Sequence, residues 1–181
     1  LTFVSGQIAM AVERRKTCDA LKEGEARLRI LAETTSAGIL IFDGETTKYI
    51  NPSGLKMLGY NDNEVYQKKF WEFLRQDYQT WVKERAAARI KGEDVPSNYE
   101  VVALTKEGRE MWLQLNVALI QFEGKTSTLV TAFDISDRKK AEFSLKESEE
   151  RFRTLAETTS ASIFIFRGQW IVYVNAAAEM L

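Results

Sequence analysis

The chain carries one segment twice, and that repetition limits what it can fold into more than any other feature. Arg27 to Asn51 reads RLRILAETTSAGILIFDGETTKYIN, and Arg151 to Asn175 reads RFRTLAETTSASIFIFRGQWIVYVN. The two align without a gap. LAETTSA is common to both, followed by Ile39/Ile163, Ile41/Ile165, Phe42/Phe166, Gly44/Gly168, Tyr49/Tyr173 and Asn51/Asn175. The register extends back through Leu21-Lys22 and Leu145-Lys146, and through Arg14 and Arg138. A period this long exceeds the roughly 20–50 residues of solenoid and propeller repeats and matches a whole small domain. The second copy stops at Leu181 inside its own pattern, so the expectation is a piece of a longer tandem-domain protein.

Composition then removes whole classes of function. Lys and Arg number 25 against 26 Asp and Glu, with no basic stripe, which argues against nucleic acid or an anionic membrane as a main partner. No apolar run approaches the roughly 20 residues needed to span a bilayer. The one cysteine, Cys18, has no intramolecular disulfide partner, which fits a reducing, cytoplasmic location. The absence of histidine is the strongest exclusion. It removes Ser-His-Asp and Cys-His catalysis, the usual zinc ligand sets and a proximal ligand for haem. It also removes any phospho-accepting histidine from this segment. With no Gly-rich phosphate loop either, the chain is expected to be regulatory, with no catalytic and no metal-binding residues.

Residues 7–33 lack proline and read as one long helix, whose positions Thr17, Leu21, Gly24, Leu28 and Leu31 recur at spacings of four and three. That is the seam of a heptad repeat. The second copy keeps it at Ala141, Leu145, Ser148, Phe152 and Leu155. Leu21, Leu28, Leu31, Leu145, Phe152 and Leu155 are therefore candidates for a dimer seam on two connector helices. A single helix lying on its own domain is the plainer reading.

From Ala37 the period changes. GILIFD, a turn at Asp43-Gly44, and TTKYIN suggest a β-hairpin over residues 38–51. Asn51-Pro52 has the residue types of a helix cap and first helical position, and Gly59 closes that short helix. Asn61-Asp62-Asn63-Glu64 has capping-box spacing. KKFWEFLR and YQTWVKERAAARIKG both read as helical, the latter to Gly92. After Pro96, NYEVVALT, EMWLQLNVALIQF and TSTLVTAFDI are strands joined at Glu107-Gly108 and Glu123-Gly124, residue types that tolerate positive φ. Leu113, Leu115, Val117 and Leu119 share one face of the middle strand, and Gln114 and Asn116 the other. An α+β fold follows, an antiparallel sheet with its helices on one face.

This order resembles the PAS domain family: NPSGLKMLGY after the second strand, FWEFL in the middle, a strand–TKEG–strand hairpin, and a terminal DISDRKKAE. The last is similar to the family's strand-to-linker junction, D-I-T-E-R-K, with Ser136 and Asp137 departing from it. The resemblance implies a five-stranded antiparallel sheet of order 2-1-5-4-3 cupping a small cavity, flanked by long connector helices. It implies a complete domain over residues 24–137, a connector over 138–156 and the start of a second domain over 157–181. FVSGQIAMAVERRK resembles the closing helix of a GAF domain, so residues 1–23 are expected to end such a domain and begin the first connector.

PAS domains share a fold more than a ligand, so the site must be argued from its residues. The family's covalent flavin chemistry needs a cysteine beside the ring, and Cys18 lies in the linker. Haem-binding members use a histidine on the long helix, where residues 78–92 have none. A noncovalent small molecule stays open, in a cavity whose candidate lining is Ile39, Ile41, Phe70, Trp71, Trp81, Leu113, Leu115 and Leu129. Each of these is also an ordinary core residue, since burying one contributes about 1.5–3 kcal/mol regardless of any ligand. Asp134, Ile135, Ser136 and Arg138 form the expected signal junction, with Ser136 placed to cap the connector helix. The resulting expectation is an input module of a multidomain sensor, similar to those of histidine kinases. It would act as a homodimer in contact with neighbouring domains of its own chain. A ligand-free dimerisation spacer is the alternative.

Overall fold

The computed structural model describes Gly24, Ile30 and residues 32–179. Most of the expected first connector helix, its seam residues Leu21, Leu28 and Leu31, Cys18 and the GAF-like segment lie outside that range. Residues 32–34 are helical. The chain divides into two compact units after Ile135.

The first unit is built on a single antiparallel sheet. Its strands are β1 (Gly38–Asp43), β2 (Thr46–Ile50), β3 (Asn98–Leu104), β4 (Glu110–Phe122) and β5 (Lys125–Asp134), in spatial order β2-β1-β5-β4-β3. The order expected from the resemblance is the order found. Tight hairpins make it possible: Glu123 and Gly124 take φ of 50° and 75° between β4 and β5, the mirror-image turn whose twist matches the strands. Between β2 and β3 lie α1 (Pro52–Leu58), α2 (Asp62–Val65), a 3-10 turn (Phe70–Phe73) and α3 (Gln76–Ile90). Gly59 closes α1 at φ 73°, donating to the Leu55 carbonyl. The Asn61 N–H donates to Glu64 Oε2 at 3.0 Å, tightening the start of α2.

One element departs from expectation. KKFWEFLR is a single 3-10 turn, not a helix. Phe73 is buried in the core, and beyond it Leu74 bridges Ala103 while the Arg75 N–H donates to the Val102 carbonyl at 2.9 Å. Pairing with β3 pulls the backbone extended where local propensity alone favours a helix. The same segment covers part of an edge strand.

The second unit contains α4 (Ser136–Thr158), β6 (Phe164–Arg167), β7 (Trp170–Val174) and α5 (Ala176–Glu179). The two strands form a sheet of their own. They repeat the first hairpin even in its irregularity, a register shift at Ile165/Phe166 matching that at Ile41/Phe42. Trp170 is 79% exposed, and Phe166, Ile171 and Val172 are exposed with it. A lone two-stranded hairpin is marginal in water.

Candidate functional site

Strand parity places the cavity. Gly38, Leu40 and Phe42 of β1 pair with Ala132, Val130 and Thr128 of β5, and Leu115 and Val117 of β4 pair with Ala132 and Val130. Because successive side chains alternate faces, these residues share one surface, apolar except for Thr128. Met57 and Leu58 of α1, Phe70 and Phe73 of the 3-10 turn, and Val82 of α3 lie over it, leaving a cavity of about 80 Å³.

Of the expected lining, Phe70, Leu113 and Leu115 border the cavity and five residues do not. Ile39, Ile41 and Leu129 have the wrong parity: Ile41 pairs with Leu129, and Ile39 with Thr131, on the opposite face of the sheet. Trp71 turns aside, edge-on to Phe70 at 4.9 Å between ring centroids, with the Lys83 ammonium 4.1 Å from its own centroid. Trp81 stands behind Tyr99, edge-on at 5.1 Å. The residues that replace them in the wall include Leu40, Phe42, Tyr99 and Arg89.

Arg89, Tyr99 and Thr128 give the wall its polar part. The Arg89 Nη2 donates to the Pro96 carbonyl at 2.7 Å. One turn earlier on α3, the Arg85 guanidinium lies 4.1 Å from the Trp81 centroid and 5.2 Å from that of Tyr99, a cation–π arrangement. Its Nη1 is buried without a hydrogen-bond acceptor. Burial pushes the Tyr99 phenol up, although Arg89 and Arg85 both pull it down. Among the described residues neither arginine forms an ion pair with a carboxylate.

A second polar centre ties the domain to the helix before it. Asn51 is 0% exposed. Its Oδ1 accepts from the backbone N–H groups of Ile39 (2.9 Å) and Gly54 (2.8 Å). Its Nδ2 donates to the carbonyls of Ala32 (2.7 Å) and Ala37 (3.0 Å). The second copy reproduces all four bonds. Asn175 Oδ1 accepts from Ile163 (2.8 Å) and Ala178 (3.1 Å), and its Nδ2 donates to Ala156 (2.8 Å) and Ala161 (2.9 Å). The sequence revealed the cap at Asn51 but not the tie to the helix.

At the other end of the domain, Asp134 closes β5 in register with Leu113. Ile135 is buried and its N–H donates to the Trp112 carbonyl at 2.9 Å. Ser136 already begins α4, and Arg138 lies 3.8 Å from Glu142. The four junction residues thus occupy one continuous passage from strand to helix. Along α4, Leu145 and Leu155 are 62% and 66% exposed. Phe152 is exposed as well and its ring centroid lies 6.0 Å from that of Tyr173, and the Tyr173 hydroxyl donates to Glu157 Oε1 at 2.7 Å. That bond, with one from the Ala176 N–H, holds the Glu157 carboxyl below its usual range. No cluster of His, Cys, Asp and Glu among the described residues could hold a metal ion, and no helix among them is long and apolar enough to cross a membrane.

Comparison with known proteins agrees with this architecture. Residues 36–137 match a family model described as PAS domain, and residues 150–181 match a second model of the same description. The chain is 28% identical over 150 residues to the methyl sulfide methyltransferase-associated sensor of Methanosarcina acetivorans, covering 82% of this chain and 15% of that protein. It is 28% identical over 135 residues to sporulation kinase A of Bacillus subtilis, covering 74% of this chain and 22% of that one. The chain therefore spans less than a quarter of the length of either curated relative. Among solved structures, the PAS domain of an HTR-like protein from Haloarcula marismortui gives a TM-score of 0.56 at 23% identity, over 67% of this chain and 99% of that one. At that identity the likeness speaks to the fold alone.

Proposed function

The chain belongs to the PAS domain family, and from that premise we propose that it is a sensory input module of a larger signalling protein. The observation that carries this reading is the course of β5. Thr128, Val130 and Ala132 line the cavity, and the same strand, the middle one of the sheet, runs through Ile135 alone into the 23-residue helix α4. A change in how the cavity is filled moves β5, and the next rigid element is the helix. A packed core passes small displacements on because it settles into discrete arrangements rather than deforming smoothly.

In this reading residues 24–137 form the complete domain, 138–156 the connector, and 157–181 the start of a second domain. The GAF-like segment 1–23 lies before them. The whole protein is a cytoplasmic sensor kinase or a similar signalling enzyme, with its catalytic part outside this chain. The names of the relatives support that assignment. The connector helices dimerise, supported by the exposure of Leu145 and Leu155, and Phe70, Leu113 and Leu115 contact the ligand.

The exposed seam also supports a second reading, a dimerisation spacer that binds nothing. Native mass spectrometry of the purified protein, set against the same sample denatured, separates the two. A bound mass that leaves on denaturation favours the sensor. A bare dimer from several growth conditions favours the spacer.

A further inference from the structure

The cavity has one charged wall, and that wall defines what the cavity would take. Leu40, Phe42, Phe70, Leu113 and Leu115 offer hydrocarbon and no hydrogen-bonding group. Arg89, in the last turn of α3, is the one charged residue of the lining. It gives one N–H to Pro96 and another side-chain hydrogen bond to the Tyr99 phenol, and the remaining N–H groups of its planar fork match a carboxylate in shape and charge. Arg85 places a second cation against Tyr99, a ring that also lines the cavity. Its buried Nη1 lacks an acceptor, so its charge has no hydrogen-bonded oxygen at that nitrogen to offset it.

Two positive charges beside one phenol, with no carboxylate among the described residues to balance them, disfavour a cation and leave a neutral molecule without its best contact. A doubly charged anion would lose too much hydration against so apolar a wall. The volume sets the size of the apolar body: at about 10–15 Å³ for each water-sized group, roughly 80 Å³ holds a body of about five to eight non-hydrogen atoms. A haem or a flavin ring system is far larger.

We propose that this cavity binds a small monocarboxylate with an apolar body, aliphatic or aromatic. The body lies between β1, β4 and the 3-10 turn, and the carboxylate lies at Arg89 in the field of Arg85. The proposal rests on the sensor reading above and gives it a ligand class.

Isothermal titration calorimetry on the 181-residue protein tests it. The probes are hexanoate and benzoate, their neutral counterparts hexan-1-ol and benzyl alcohol, hexylamine as a cation, and acetate as an anion without a body. At least one of the two acids binds, and which one binds tells an aliphatic body from an aromatic one. Its alcohol binds at least tenfold more weakly, and hexylamine and acetate do not register. Arg89→Gln weakens the acid roughly ten- to a hundredfold, the loss of a charge-assisted hydrogen bond, and leaves the alcohol unchanged. Arg89→Lys restores part of the loss. Should Arg89→Gln lose its circular dichroism signature of folding, Arg85→Gln gives the same comparison. Acid and alcohol binding equally well, or an acid indifferent to both arginines, overturns the anion assignment and leaves the sensor reading standing. If no probe binds, the monocarboxylate assignment falls, and the native mass measurement alone decides between the sensor and the spacer.

Discussion

Asn51→Ala removes four hydrogen bonds from a side chain with no exposed surface. The partners left behind are all backbone: the N–H groups of Ile39 and Gly54 and the carbonyls of Ala32 and Ala37. An intramolecular hydrogen bond contributes about 0.5–1.5 kcal/mol net, and a buried group left unpaired costs about 1–3 kcal/mol. Taking about 1 kcal/mol for each of the four gives a loss of ~4 kcal/mol, a large part of the 5–15 kcal/mol typical of a domain. With a urea dependence of about 2 kcal/mol/M, the unfolding midpoint falls by about 2 M. Tryptophan fluorescence and far-ultraviolet circular dichroism would follow the transition. Asn51→Asp sharpens the test, because it keeps both acceptor bonds but turns a carboxylate oxygen toward the Ala32 and Ala37 carbonyls. Hydrogen exchange should then show Ile39 and Gly54 still protected while the turn at residues 32–34 opens. A midpoint shift below about 0.5 M in Asn51→Ala would refute the reasoning, since the tie would then contribute no more than ~1 kcal/mol.

Three further perturbations test other parts of the argument. Gly54→Ala gains about 1 kcal/mol of helix propensity, but its Cβ would sit 2.8 Å from Ile50 Cγ1 and 3.1 Å from Asn51 Oδ1. The clash, about 1–3 kcal/mol for such overpacking, wins, and a rise in the melting temperature would show that it does not. The Thr47 hydroxyl is buried without a partner among the described residues, so Thr47→Val should stabilise by about 1 kcal/mol in urea unfolding, and a loss of stability would refute that. Glu64 is held below its usual value first by its hydrogen bond to Lys106, and Asp77 first by that to Arg75. Their folded pKa values lie below the unfolded ones, so the folded state binds fewer protons. Their stabilisation is present above the ordinary carboxylate values of 4.5 and 3.8 and is lost as pH falls through the folded ones. Glu64→Gln should flatten the acid side of a stability–pH profile, and an unchanged slope would count against the pairing.

Local chemistry was readable in the sequence wherever it decides the outcome by itself. The alternation of Leu113, Gln114, Leu115, Asn116 and Val117 fixes the faces of β4, and Glu123-Gly124 fixes its turn, because each depends on near neighbours only. GILIFD gives no such signal. It is apolar on both sides, so the sequence points to Ile39 and Ile41 for the cavity, and only pairing with β5 gives that face to Leu40 and Phe42. KKFWEFLR carries helix-forming residues, and only β3, far along the chain, makes Leu74 extended. Arg85 and Arg89 carry no signal of their own in YQTWVKERAAARIKG, since nothing nearby in sequence announces that Tyr99 will meet them. Asn51 reads as a cap, which it is, while its bonds to Ala32 and Ala37 reach backward beyond any capping pattern.

Those backward bonds make the end of one helix a property of the domain that follows it. The last carbonyls of a helix have no partners within it. Ala156 lies in the final turn of α4, and its carbonyl is met by Asn175, 19 residues downstream; Ala32 stands in the same relation to Asn51. The helix keeps its final turn more easily while the hairpin stands, and the hairpin is firmer while that turn is wound. Thermodynamic reciprocity makes the influence equal in both directions: whatever tightens the helix tail favours the sheet by the same free energy with which the sheet favours the tail. At this contact the molecule has no preferred direction of traffic, and a domain so joined listens to its upstream helix as readily as it speaks to it.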